Sequence, residues 1–185
     1  MDLRKEGWGY GDKPTDFLMF IQRNIDNGVY DPQIQEKWSA EHIDAFGKYI
    51  THSRDDNYTY AGLQQLIDKY LVKNRSTGDI YETPQFAYMC IAMCLFDSED
   101  EVKKAYDCYS TFKINLPTPI MAGVRTNIRQ FASCVLVDVD DNLDSIFASL
   151  HAVGRYTARR AGIGLNIGRM RPINSAIRGG EVIHT

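Results

Sequence analysis

The residues with the widest chemical range in this chain are four cysteines, at positions 90, 94, 108 and 134. A thiol can pack in a core, bind a metal or carry electrons, and each use needs different neighbours. No two of these cysteines make CxxC, and no histidine pair has ligand spacing, which sets zinc aside. Cys90 and Cys94 are four apart, so a helix places both on one face as small core residues. Cys108 reads the same way. Cys134 lies in PTPIMAGVRTNIRQFASCVLV, near the start of an apolar run that reads as a buried strand. Ser133 and Thr118 put hydroxyls upstream of it. Taken alone, inert packing leads as its explanation. A redox role needs a second thiol, because one cysteine cannot close an internal disulfide.

Two further patterns invite a nucleotide. RRAGIGLNIGRMR has glycines spaced GxGxxxG and follows a helix pattern. A dinucleotide fingerprint is GxGxxG, follows a strand and opens a helix, so that reading fails. The glycines instead suit close approach of another group to a strand backbone. Next to them, GRMRPINSAIRGG carries Arg169, Arg171 and Arg178 among turn formers. Such arginines are usually a solvated face, but their forked donors also clamp phosphates. With Asp141 as a ribose-hydroxyl acceptor, they would complete a nucleotide site.

Composition bounds what must position these groups. The chain has 185 residues, 44% hydrophobic and 24% charged, with net charge −3. A chain this long can hide roughly 70% of its unfolded surface. The acidic balance argues against nonspecific nucleic-acid binding. No apolar run approaches the ~20 residues that span a bilayer. The first residues, MDLRKEGWGYGDKP, have no apolar signal core, so a cytoplasmic protein with reduced cysteines is expected.

The first two-thirds read as helices. PTDFLMFIQRNIDNG puts Phe17, Phe20, Ile21 and Ile25 on one stripe, with Thr15 as cap and Asn27-Gly28 as stop. Ser39 opens a second helix through His52, and a third runs from about Tyr60 to Tyr70. YLVKNRSTGDIYET alternates around a glycine turn and predicts a hairpin at 70–83. Thr83-Pro84 starts a helix to about residue 96. Asp97 or Ser98 caps the next, to about 112. From residue 117 the pattern changes. FASCVLVDV reads as a strand, DDNLDSIFASLHAVGRYTARR as a helix with Asp140 and Asp141 at its positive end, and GIGLNIG as a second buried strand. That is a βαβ unit with parallel strands. One such unit cannot cover both faces of a parallel sheet, so the fold class is α/β with the sheet only begun. The expected domains are helical, 1–116, and strand-bearing, 117–185.

LPTPIMAGVRT…RQFASCVL, RRAGIGLNIGRMR and IRGGEVIHT together resemble the catalytic large subunit of class I, aerobic ribonucleotide reductases. KYLVKNRSTGDIYETPQF resembles the segment before the barrel in the same family. The resemblance runs through nearly the whole chain, in the family's order and spacing, and leans to enterobacterial and T-even-like phage enzymes. It implies a helical domain followed by the first strands of a ten-stranded α/β barrel. It implies that Cys134 is a redox thiol that reduces the ribose 2′ position and becomes half of a disulfide. It assigns substrate contacts to Thr118, Ser133, Cys134 and Gly162. It assigns a deoxynucleoside triphosphate (or ATP) effector site to Asp141, Asn142, Leu143, Arg171 and Arg178, and no metal site to this chain. Removing a 2′-hydroxyl takes two electrons, which a dithiol supplies on closing to a disulfide.

The family usually has Pro-Thr after GVRT, where Asn127-Ile128 stands here, and often a second serine where Ala132 stands. The resemblance places the ATP cone, the thiyl-radical cysteine, the second redox cysteine and the radical-relay tyrosines outside this sequence. The chain is therefore expected to be an N-terminal piece of a reductase, a naturally split product or a truncated chain; Met1 and the lack of a tag favour the former. Such a piece is expected to need its partner for solubility. Implied partners are the remaining C-terminal part of the large subunit, a second large subunit dimerising at the effector site, thioredoxin or glutaredoxin, the nucleoside diphosphate, and a small subunit carrying a di-metal (iron or manganese) radical cofactor. No membrane or nucleic-acid partner is expected. The alternatives are a non-catalytic scaffold or effector-binding fragment of a split reductase, and a cobalamin-dependent relative that shares the barrel.

Overall fold

The computed structural model describes residues 16–74, 76–159, 161–177, 180 and 182–183. The chain divides into two compact units, Met1–Phe131 and Ala132–Thr185. Residues 117–131, placed with the strands on sequence grounds, belong to the first unit.

The first unit is helical. Helix α1 (Phe17–Asp26) is capped by Asp16, whose Oδ1 accepts from Met19 N at 3.0 Å. The expected cap, Thr15, lies outside the described residues. Gly28 follows at φ 68°, a left-handed stop that glycine adopts without strain. Helix α2 (Gln33–Lys37) leads to α3 (Ala40–Tyr49), capped by Ser39 Oγ on His42 N at 3.4 Å. The chain leaves α3 three residues earlier than expected and makes a 3-10 turn over His52–Asn57.

The predicted third helix divides in two: α4 (Tyr60–Gln65) runs into a single π turn, Leu66–Tyr70. The hairpin is minimal. Lys73 bridges Ile80, with Asn74 N donating to Asp79 O at 2.8 Å and Tyr81 N to Val72 O at 2.8 Å. Helix α5 (Pro84–Leu95) starts at the Thr83 cap, as its Thr-Pro pair predicts. It is apolar on every side and is the axis of the core. Phe17, Phe20, Ile34, Phe46, Met89, Ile91 and Tyr106 are buried in that core. Helix α6 (Glu99–Ser110) is capped by Ser98 and packs along α5. A short α7 (Thr118–Gly123), not anticipated, follows Pro117.

The second unit is the predicted βαβ. Strand β1 (Cys134–Asp138) is joined by α8 (Leu143–Ala158) to β2 (Gly162–Asn166), and the two strands pair in parallel, Cys134 opposite Gly162 and Asp138 opposite Asn166. Two short strands, β3 (Ala176–Ile177) and β4 (Val182–Ile183), pair antiparallel in the stretch read as loop. The expectation of buried strands fails in part. Within β1, residues 134, 136 and 138 are exposed, and Leu136 reaches 88%. A two-stranded sheet with one covering helix leaves its other face open. Among the described residues no helix is long and apolar enough to cross a membrane.

Candidate functional site

In the second unit, the chemistry gathers at the two ends of the parallel pair. At the start of β1, Cys134 is exposed, as Ser133 is, rather than packed as the sequence suggested. The exposure follows from its place as the first residue of the strand, on the face that α8 does not cover. Across the ladder Gly162 N donates to Ser133 O at 2.8 Å. A Cβ built on Gly162 would sit 3.6 Å from Cys134 Sγ. The glycine therefore leaves open space directly beside the thiol.

At the other end, the carboxylates that follow β1 meet the arginines that follow β2. Asn142 caps α8 by accepting from Ser145 N at 2.8 Å. Arg171 Nε donates to Asp141 Oδ2 at 2.5 Å, and its Nη2 reaches Asp141 O at 3.5 Å. Arg169 pairs with Asp140 at 2.9 Å and Asp138 at 3.4 Å. The hydrogen bond to Asp140, and then the charges of Asp138 and Asp140, hold the Arg169 guanidinium above its ordinary range. Asn166 Nδ2 donates to Asp138 Oδ1 at 2.8 Å, tying the strand ends together. Leu143 opens α8 with its side chain exposed. The structure thus brings Asp141, Asn142, Leu143 and Arg171 to one end of the sheet, 30 residues apart in sequence for the Asp141–Arg171 pair. Arg178 lies outside the described residues.

In the first unit, Thr118 opens α7, and its Oγ1 lies 3.0 Å from the hydroxyl of Tyr70. Behind it is a polar network that sequence reasoning did not anticipate. Glu82 and Arg125 are both fully buried and paired through two guanidinium nitrogens, Nε at 2.9 Å from Oε2 and Nη2 against Oε1. Glu82 also accepts from Val72 N at 2.6 Å and from Tyr30 Oη. Arg125 donates further to Met121 O and, at 3.0 Å, to Tyr70 O. Burial alone would weaken the Arg125 charge, but the Glu82 carboxylate outweighs it and holds the guanidinium well above its ordinary value. Desolvation, reinforced by Cys90 and Glu82, pushes the Tyr30 phenol up. The available signal was a lone carboxylate in IYETPQF, between Ile80-Tyr81 and the helix start at Thr83-Pro84, matched by a lone arginine in GVRT.

The remaining cysteines are packing residues. Cys90 is buried and Cys94 half-buried; burial pushes Cys90 up and Cys94 up to about 12. Cys108 is half-buried on α6.

Two family models match in succession: "Ribonucleotide reductase, all-alpha domain" over residues 56–129 and "Ribonucleotide reductase, barrel domain" over 132–185. The chain belongs to the ribonucleotide reductase large-subunit family. It is 47% identical over 189 residues to ribonucleoside-diphosphate reductase 1 subunit alpha of Salmonella typhimurium, covering 99% of this chain and 25% of that one. It is 46% identical to the protein of the same description in Escherichia coli, with the same coverage. It is also 46% identical to ribonucleoside-diphosphate reductase subunit alpha of Enterobacteria phage T4, again over 99% of this chain and 25% of the relative. The chain spans about a quarter of the length of these relatives.

Proposed function

We propose that this chain contributes the helical domain and the first barrel strands to a class I ribonucleoside-diphosphate reductase large subunit. The observation that carries the proposal is an exposed thiol, Cys134, fixed at the first residue of a parallel strand and facing a glycine, in a chain of this family. In the proposed step, Cys134 and a second thiol supplied by the rest of the subunit each give up one electron and one proton. The C2′–O bond of the ribonucleoside diphosphate breaks, one hydrogen leaves with the hydroxyl as water, the other forms the new C2′–H bond, and the two sulfurs close a disulfide. Thioredoxin or glutaredoxin then returns the pair to dithiol. The small subunit's di-metal radical centre would start the reaction. A thiol held on a strand rather than a loop keeps its distance to the ribose fixed, which positioning requires.

Other residues take binding roles in this reading. Thr118 donates a hydroxyl hydrogen bond to substrate, as Ser133 does, and Gly162 admits the substrate beside the backbone. Asp141, Asn142, Leu143, Arg171 and Arg178 serve a deoxynucleoside triphosphate effector, with a second large subunit completing that site. The Asp141–Arg171 contact supports this: one carboxylate and one forked cation stand together where ribose hydroxyls and phosphates need opposite partners. Thiol turnover of this kind suits the reducing cytoplasm. Cys134→Ser in the assembled reductase tests the reading. Thioredoxin-dependent turnover is expected to be lost while substrate binding persists; full turnover would remove the redox role.

A further inference from the structure

We infer that Tyr70 is a positioning residue that fixes the Thr118 hydroxyl as a hydrogen-bond donor toward substrate. The inference rests on Thr118 being a substrate contact, as proposed above. The Tyr70 and Thr118 hydroxyls lie 3.0 Å apart, and either atom can be the donor. Substrate settles the direction. An anionic diphosphate oxygen only accepts, so Thr118 must spend its single proton on the substrate. The proton between the two hydroxyls then comes from Tyr70, donated to Thr118 Oγ1. A phenol is the better donor of the two, and accepting from it polarises the Thr118 hydroxyl toward further donation.

The surroundings hold this pair in place from both sides. Tyr70 ends the π turn, closed by Leu71 N donating to Leu66 O at 2.8 Å. A π turn holds one residue more than an α turn, which rotates the downstream chain by about 100° and is a local irregularity often found at functional sites. The buried Arg125 ties the two segments together: Nη2 donates to Tyr70 O at 3.0 Å, and Nη1 to Met121 O within the helix that Thr118 begins. Glu82 in turn fixes Arg125. The phenol and the threonine are therefore two ends of one clamp whose centre is fully buried.

The test uses the assembled reductase with Tyr70→Phe, Thr118→Ala, the double variant and Thr118→Ser. Losing one hydrogen bond to substrate should raise KM for the nucleoside diphosphate about threefold to tenfold. Tyr70→Phe and Thr118→Ala should each show this with kcat within about twofold of the parent, the signature of lost binding common to ground and transition states. The double variant should be no worse than Thr118→Ala, and Thr118→Ser should keep the parent KM. If Thr118→Ala raises KM and Tyr70→Phe does not, or if their effects simply multiply, the positioning role is wrong and the substrate contact stands. If Thr118→Ala leaves KM unchanged, the substrate contact itself is wrong and the inference falls with it.

Discussion

Cys134 stands directly opposite Gly162 on two parallel strands, and the glycine puts a hydrogen where a side chain would stand beside the sulfur. An added methyl would rest 3.6 Å from Sγ, an ordinary contact rather than a clash. Gly162→Ala should therefore fold, and should even gain about 0.5–1 kcal/mol by removing a strand glycine. Its methyl should nonetheless slow labelling of Cys134 by a bulky maleimide. Melting temperature and labelling rate, measured side by side, check this; a destabilised variant would contradict the contact.

The Glu82–Arg125 pair predicts an asymmetric mutational response. Both side chains have 0% exposure. Arg125→Met strands a buried carboxylate and should cost about 3–5 kcal/mol. Adding Glu82→Gln removes that stranded charge and should recover much of the loss, since a glutamine carbonyl can still accept from Val72 N. Denaturant unfolding of the two variants, with a double-mutant cycle, reads the coupling.

Gly47 on α3 meets α1 at the Phe17 side chain. A Cβ there would lie 2.6 Å from Phe17 Cβ, an atom fixed to its backbone. Alanine would favour the helix by about 1 kcal/mol. Overpacking costs about 1–3 kcal/mol, so the steric term prevails and Gly47→Ala should destabilise. Gly164→Ala is the contrast. Its Cβ meets Leu136 Cδ2 at 2.8 Å, the far end of an exposed side chain that can swing away. Thermal melts of the two variants should separate clearly.

The cysteines should divide by reactivity. At pH 8 the native chain should take up label at Cys134 first, while Cys90 and Cys94 wait for unfolding. Alkali adds a test of sign. The folded Cys94 thiol is raised from the ordinary 9.0 to about 12, chiefly by burial. Its contribution is therefore whole below about pH 9. It declines as pH rises from there towards 12, because the unfolded chain ionises first. Unfolding free energy measured from pH 8 upward should fall, and Cys94→Ala should flatten the slope.

Helices with an apolar stripe and a hydroxyl cap, such as α3 and α6, were legible because both signals are local, and α5 was legible from its Thr83-Pro84 start. The π turn was not, because Leu66 and Ile67 continue the stripe of α4 and one extra residue leaves no compositional mark. Helix α7 was hidden by Pro117 and Pro119, which read as a turn although proline is at home in a first helical turn. The apolar run at β1 was read as buried strand, but an apolar sequence reports what a strand would bury, not what this chain covers. At the candidate sites, Cys134, Gly162 and the Asp141–Arg171 pairing were named from the residues or from the family resemblance. The Tyr70–Glu82–Arg125 network escaped because its members are joined only by the fold, 43 residues apart in the case of the ion pair.

Arg125 is also the last member of that network to leave the ribosome. Tyr30, Tyr70, Val72, Glu82 and Met121 all precede it. Until it arrives, closing the helical core would trap the Glu82 carboxylate without a counter-charge, at a penalty comparable to the stability of a whole domain. Residue 125 is thus the point in the chain at which the Glu82 carboxylate gains its counter-charge. A nascent chain ending before it should stay open to protease, and one extending past Phe131 should resist.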